Sequence, residues 1–134
     1  MSIFELREIG DLNESGNVPS QRLKISVGEI EGMLVVYTGR QGDHTLSIIP
    51  SLNVSGYGVN EADSITALRE NLETLFEDLF AISESERKQE LFNMGWMTQP
   101  SMEKRLTWLH SDENEFLQNF DFPELVKTSV LQAA

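Results

Sequence analysis

Residues 46–80, LSIIPSLNVSGYGVNEADSITALRENLETLFEDLF, decide the fold. A short apolar strand, residues 44–49, runs into Pro50, which ends it because proline has no N–H to give to a ladder. Residues 50–63 read as a long loop, with Gly56 and Gly58 allowing positive φ around Tyr57. A helix is predicted over residues 64–81, capped by Asp63 or Ser64. Its Ile65, Leu68, Leu72, Leu75, Phe76 and Leu79 recur at spacings of three and four, one apolar stripe on a 3.6-residue period. Glu70, Glu73, Glu77 and Asp78 fall on the other faces.

Upstream, residues 22–27 alternate. Leu23, Ile25 and Val27 point one way, and Arg22, Lys24 and Ser26 the other, as in a half-buried strand. GEIEG punctuates the chain, and then MLVVYT, residues 33–38, is a continuous apolar run that reads as a central strand covered on both faces. GRQGD supplies a hairpin loop before the strand at residues 44–49, so these strands form an antiparallel meander. Residues 11–21 are loop-like, and residues 1–10 fit a short strand or a helical turn equally well.

Downstream, Ser83 and Glu86 have capping-box spacing for a second helix over residues 84–94, stopped by Gly95. A further helix is expected from about Pro100, with Met102, Leu106 and Leu109 inward. Asp112 with Glu115, and Asp121 with Glu124, repeat the capping spacing around an apolar Phe116, Leu117 and Phe120. Residues 124–134 fit a helix or a strand. The expected class is α+β: a three- to four-stranded antiparallel sheet, one long packed helix and a C-terminal helical extension. The segments are residues 1–21, a core of residues 22–82, and residues 83–134.

Bulk properties narrow the function. The chain has 134 residues, enough to bury a core without a staple, and no cysteine, which excludes disulfides, thiolate nucleophiles and Cys-ligated zinc. MSIFELREIG has acids where a signal peptide needs bases, and no apolar run approaches the ~18 residues of a membrane span, so a cytoplasmic protein is expected. The net charge of −12 disfavours general nucleic-acid binding and fits a basic partner or simply solubility.

No catalytic motif stands out. His44 and His110 have no second ligand or base at a helical spacing, and His110-Ser111-Asp112 are neighbours in the chain, which do not face one another as a triad does. Glu70, Glu73 and Glu77 share a face, which can be a carboxylate site or a solvated surface. Gly56-Tyr57-Gly58 lacks the third glycine of a dinucleotide loop. Trp96 and Trp108 read as core. The stretch LFNMGWMTQPSMEKRL has the outline of a helix-turn-helix, with Lys104 and Arg105 its basic pair. Arg87-Lys88 is the other basic pair, read as solvated helix surface.

The order strand, strand, Pro50-Ser51-Leu52, loop, helix resembles the HicB family of antitoxins, with its partial RNase H fold. Asp63 and Ser64 match the family's Asp-Thr helix cap, and Ala67, Leu68 and Asn71 match its Ala-Leu-x-Asn helix start. Asn53, Val54 and Ser55 replace the usual second proline and glycine-cysteine, and Ala62 stands where a glycine is usual. The resemblance covers residues 22–82. It implies a cytoplasmic bacterial protein without catalytic activity or cofactor, which neutralises a small basic RNA-cleaving toxin of the HicA type. Tyr57, Glu70, Glu73 and Glu77 are the expected partner-binding residues. Two other readings are a DNA-binding regulator using C-terminal helices and an enzyme with a site near the Tyr57 loop. Homo-oligomerisation stays open.

Overall fold

A computed structural model describes residues 6–11, 21–26, 29–99, 102–108 and 114–133. The apolar run MLVVYT lies inside β3, Glu29–Gln41, a 13-residue strand that organises the sheet. Successive side chains of a strand face opposite sides. Leu34 and Val36 accordingly enter one apolar cluster, and Val35 and Tyr37 another. This central strand is covered on both faces, as its unbroken apolar run predicts.

One edge of β3 pairs with β8, Lys127–Ala133, from Gly32↔Ala133 to Thr38↔Lys127. The other edge pairs first with β2, Arg22–Ser26, and then with β4, His44–Ile49. Between these two partners the Val35 N–H donates instead to Gln21 Oε1 at 3.0 Å. The same oxygen accepts from Ser51 Oγ at 2.7 Å, and the Ser51 carbonyl accepts from Trp96 Nε1 at 2.7 Å. Leaving such buried groups unpaired costs about 1–3 kcal/mol each. Gln21, read from sequence as the end of a loop, therefore fills the gap where β3 changes neighbours.

Among the described residues the sheet is antiparallel and has eight strands, not the three or four expected. Its main path runs β1, β8, β3, β2, β7, β6, where β1 is Leu6–Asp11, β6 is Trp96–Gln99 and β7 is Met102–Trp108. β5, Val54–Gly58, extends it beyond β4, after a 3-10 turn at Pro50–Leu52. The C-terminal region is thus not a helical extension. α2, Glu84–Asn93, is present, with Ser83 Oγ accepting from the Glu86 N–H at 3.2 Å and Gly95 at φ 104 behind it. The helix expected from Pro100 is instead strand β7. Met102 and Leu106, four apart, share a face on either a helical or a strand period, so their spacing fits both. The open edge of β2 selects the strand, placing Leu106 beside Leu23. The open tail also becomes a strand, β8, and residues 6–11 become β1.

α1, Glu61–Ala81, begins three residues before the expected start. Its cap is Asn60, whose Oδ1 accepts from the Asp63 N–H at 2.9 Å, and not Asp63 or Ser64. Ser64 is fully buried, and its hydroxyl is engaged elsewhere. Ser64 Oγ donates to the Glu61 carbonyl at 2.8 Å, so it accepts from Ser47 Oγ, which in turn accepts from Thr38 Oγ1. This chain of hydroxyls fastens the first turn of α1 to β4 and β3. Leu68, Leu72, Phe76 and Leu79 are buried against Leu34, Val36, Ile49, Leu52 and Val54, with Ile65 and Leu75 half-buried at the rim. Each fully buried leucine contributes about 1.5–3 kcal/mol.

On the opposite face, α3, Asn114–Leu117, and a 3-10 turn at Pro123–Leu125 cover the sheet. Phe120 and Val126 are buried there on Val35, Tyr37 and Leu46. Among the described residues no helix is long and apolar enough to cross a membrane.

Candidate partner-binding surface

α1 lies close on β5 because β5 carries glycines on that side. A Cβ at Gly56 would collide with the main-chain N of Leu68, and one at Gly58 with the N of Ser64. Neither glycine has positive φ. The expectation that they shape a loop is corrected: they belong to a strand and make room for a helix. Tyr57, between them in β5, points to the other face of the sheet. Its ring is 51% exposed, meets His44 edge-on at 6.3 Å between centroids, and its hydroxyl donates to Gln41 Oε1 at 2.7 Å. Gln41 Nε2 donates onward to the Asn119 carbonyl at 2.7 Å.

These three residues bound an open groove of about 270 Å³ between β4–β5 and the segment around α3. Leu46, Ile48 and Phe116 make its apolar lining, and Asn53 and Ser55 add neutral polar groups. Among the described residues no carboxylate, imidazole or amine lines it. Gln41 and Asn119 carry no mark in the sequence that places them beside Tyr57; only the β3–β4 hairpin and the return of residues 119–121 do so.

Glu70, Glu73 and Glu77 stand on α1, on the far side of the sheet from Tyr57. Glu70 and Glu77 are exposed and Glu73 is half-buried. The four expected partner-binding residues therefore divide between two surfaces. α1 carries Glu61, Asp63, Glu70, Glu73, Glu77 and Asp78 against one cation, Arg69. Glu61 has a partner, Lys127 Nζ at 2.8 Å. Glu70, Glu73 and Glu77 make no ion pair with another described residue. Glu77 also lies near the negative end of the helix dipole, where a carboxylate is unfavourable by a few tenths of a kcal/mol. Helix stability does not explain its presence.

The basic pairs are engaged or relocated. Arg87 Nε donates to the Leu79 carbonyl at 2.8 Å, and its guanidinium lies 5.3 Å from the Phe80 ring centroid, so it joins α2 to the end of α1. Lys88 pairs with Glu84 at 3.5 Å. Lys104 and Arg105 lie in strand β7, so the helix-turn-helix reading is corrected: a β-hairpin follows α2 where its second helix was expected. Trp96 is core, and Trp108 is half-buried with Nε1 donating to the Met94 carbonyl at 2.8 Å. His44 begins β4 on the surface. His110, Asp112 and Glu113 lie outside the described residues. Among the described residues no cluster of His, Asp or Glu is placed to hold a metal ion. No protein-family model, curated protein or solved structure matches the chain.

Proposed function

We propose that the protein is a non-catalytic, HicB-like binding module of the bacterial cytoplasm that masks a small basic partner, an RNA-cleaving toxin of the HicA type. The observation that carries this reading is the outer face of α1. Glu70, Glu73 and Glu77 lie along one line of a helix whose other side is fixed in the core, and no described cation neutralises them. Fixed charges on a rigid element attract an oppositely charged partner at no cost in ordering. The Tyr57 groove offers a second, uncharged contact on the other face.

The test is association kinetics with a small basic toxin of that type. Replacing Glu70, Glu73 and Glu77 together by Lys leaves the circular dichroism and thermal unfolding of the protein unchanged. It slows association by about tenfold or more at low salt and flattens the salt dependence of the on-rate. An unchanged on-rate would show that the glutamates are only a solvated surface.

A further inference from the structure

Residues 118–126 cross one face of the sheet between two fixed ends. At one end the Phe116 ring of α3 meets the rings of Tyr37 at 5.9 Å and Trp108 at 5.8 Å between centroids. Trp108 is itself tied through Nε1 to the Met94 carbonyl. At the other end Lys127 enters β8 opposite Thr38 of β3. Between these ends Phe120 and Val126 are buried, while Phe122 and Leu125 face solvent. A segment pinned at both ends and built of turns opens locally more readily than the strands beneath it.

The two buried side chains share one seat. A Cβ at Gly39 of β3 would stand 2.8 Å from Phe120 Cδ1 and 3.1 Å from Val126 Cγ2. Phe120 and Val126 therefore settle together on bare main chain, and lifting one loosens the other. The fastening is separate and falls on the three residues after the seat. The Asp121 N–H donates to the Arg40 carbonyl, the Gly42 N–H to Asp121 Oδ2, and Gln41 Nε2 to the Asn119 carbonyl. Gln41 is held in turn by the Tyr57 hydroxyl, which donates to its Oε1. The side-chain bonds of this latch are exposed, so water replaces them at small cost.

We infer that residues 118–126 are a strap that opens as one unit over the Tyr57 groove, and that Tyr57, through Gln41, is its catch. In the closed form Asn119 is part of the groove wall. Leu46 belongs both to the groove lining and to the cluster under the strap. Opening therefore withdraws the Asn119 wall and extends the groove past Leu46 to Val35, where Phe120 and Val126 had lain. The closed form dominates, because opening wets two apolar side chains. A competitor for the Tyr57 hydroxyl or the Gln41 amide favours the open strap, since it binds best with the catch released. Opening is a property of the free protein and needs no partner.

Native-state hydrogen exchange of the full chain, followed residue by residue in urea below the unfolding transition, reads this opening. The N–H groups of Phe120, Asp121 and Val126 are bonded in the closed strap. They should exchange through one shared opening of shallow urea dependence, and the core of α1 through steep global unfolding. Gly39→Ala sets a methyl under both seated side chains and quickens strap exchange by about tenfold or more. Tyr57→Phe removes the hydroxyl of the catch and quickens it by about threefold. Leu72→Ala, on the other cover, quickens α1 by about thirtyfold or more and leaves the strap unchanged. Thermal unfolding reports that each variant is folded. Strap amides that exchange only together with α1, or that quicken in step with it in Leu72→Ala, overturn the inference. So do strap amides that ignore Gly39→Ala or Tyr57→Phe.

Discussion

The two covers of the sheet are built differently. On one face a single 21-residue helix lays Leu68, Leu72, Phe76 and Leu79 into the core, and its own main-chain bonds hold it together. On the other face Phe116 and Leu117 arrive on a four-residue helix, and Phe120 and Val126 on the irregular chain either side of a 3-10 turn. Too short to order themselves, these pieces are held by the hairpin beneath them. The Gly42 N–H donates to Asp121 Oδ2 at 2.8 Å, the Asp121 N–H to the Arg40 carbonyl at 2.9 Å, and Gln41 Nε2 to the Asn119 carbonyl. The first cover stabilises the sheet; the second is stabilised by it. The proposed surfaces follow that division, with charge on the self-supporting helix and the Tyr57 groove against the dependent segment.

The largest effect should come from the helical cover. Leu72→Ala should cost about 2–5 kcal/mol in urea unfolding, since Leu72 is fully buried among large neighbours. A loss below about 1 kcal/mol would place the stripe outside the core. Next comes the contact that brings the helix to the sheet. Gly56→Ala should cost about 1–3 kcal/mol, because the new methyl meets the main chain of α1, which cannot swing aside as a side chain can. A neutral result would mean that α1 rides higher on β5 than described. The smallest effect belongs to the dependent cover. Asp121→Ala should cost about 0.5–1.5 kcal/mol, as the lost bond is exposed. Hydrogen exchange should then quicken at residues 114–126 well before α1, and equal acceleration on both sides would dissolve the contrast between the covers.

Legibility follows the same division. The stripe of α1, the alternation of β2 and the unbroken run of β3 each state their period over several residues, so the sequence carries them plainly. β5 was hidden because VSGYG has the composition of a turn, while its glycines serve a contact with residues 64–68 that no local pattern records. β7 was hidden because Met102 and Leu106 fit two periods, and the arbiter was the distant edge of β2. The acidic face of α1 was readable from spacing alone. That Tyr57 lies on the opposite face was not, since it depends on residues 54–58 being a strand. Asp121, read as a helix cap, instead holds Gly42, a use visible only once the β3–β4 hairpin is in place.

The position of β8 sets a timetable for the molecule as it is made. β3 is synthesised early, yet its partner from Gly32 to Thr38 is residues 127–133, nearly a hundred positions later in translation. β1 waits longer still, since among the described residues it pairs with β8 alone. Until residues 127–133 leave the ribosome, the nascent chain holds the β2–β5 strands and α1 beside an unfilled slot in the middle of its sheet. Pairings of such sequence separation are slow to form and leave strand edges open meanwhile. The half-made protein is therefore the form most in need of a chaperone's shelter, and its sheet closes only once residues 127–133 have been added.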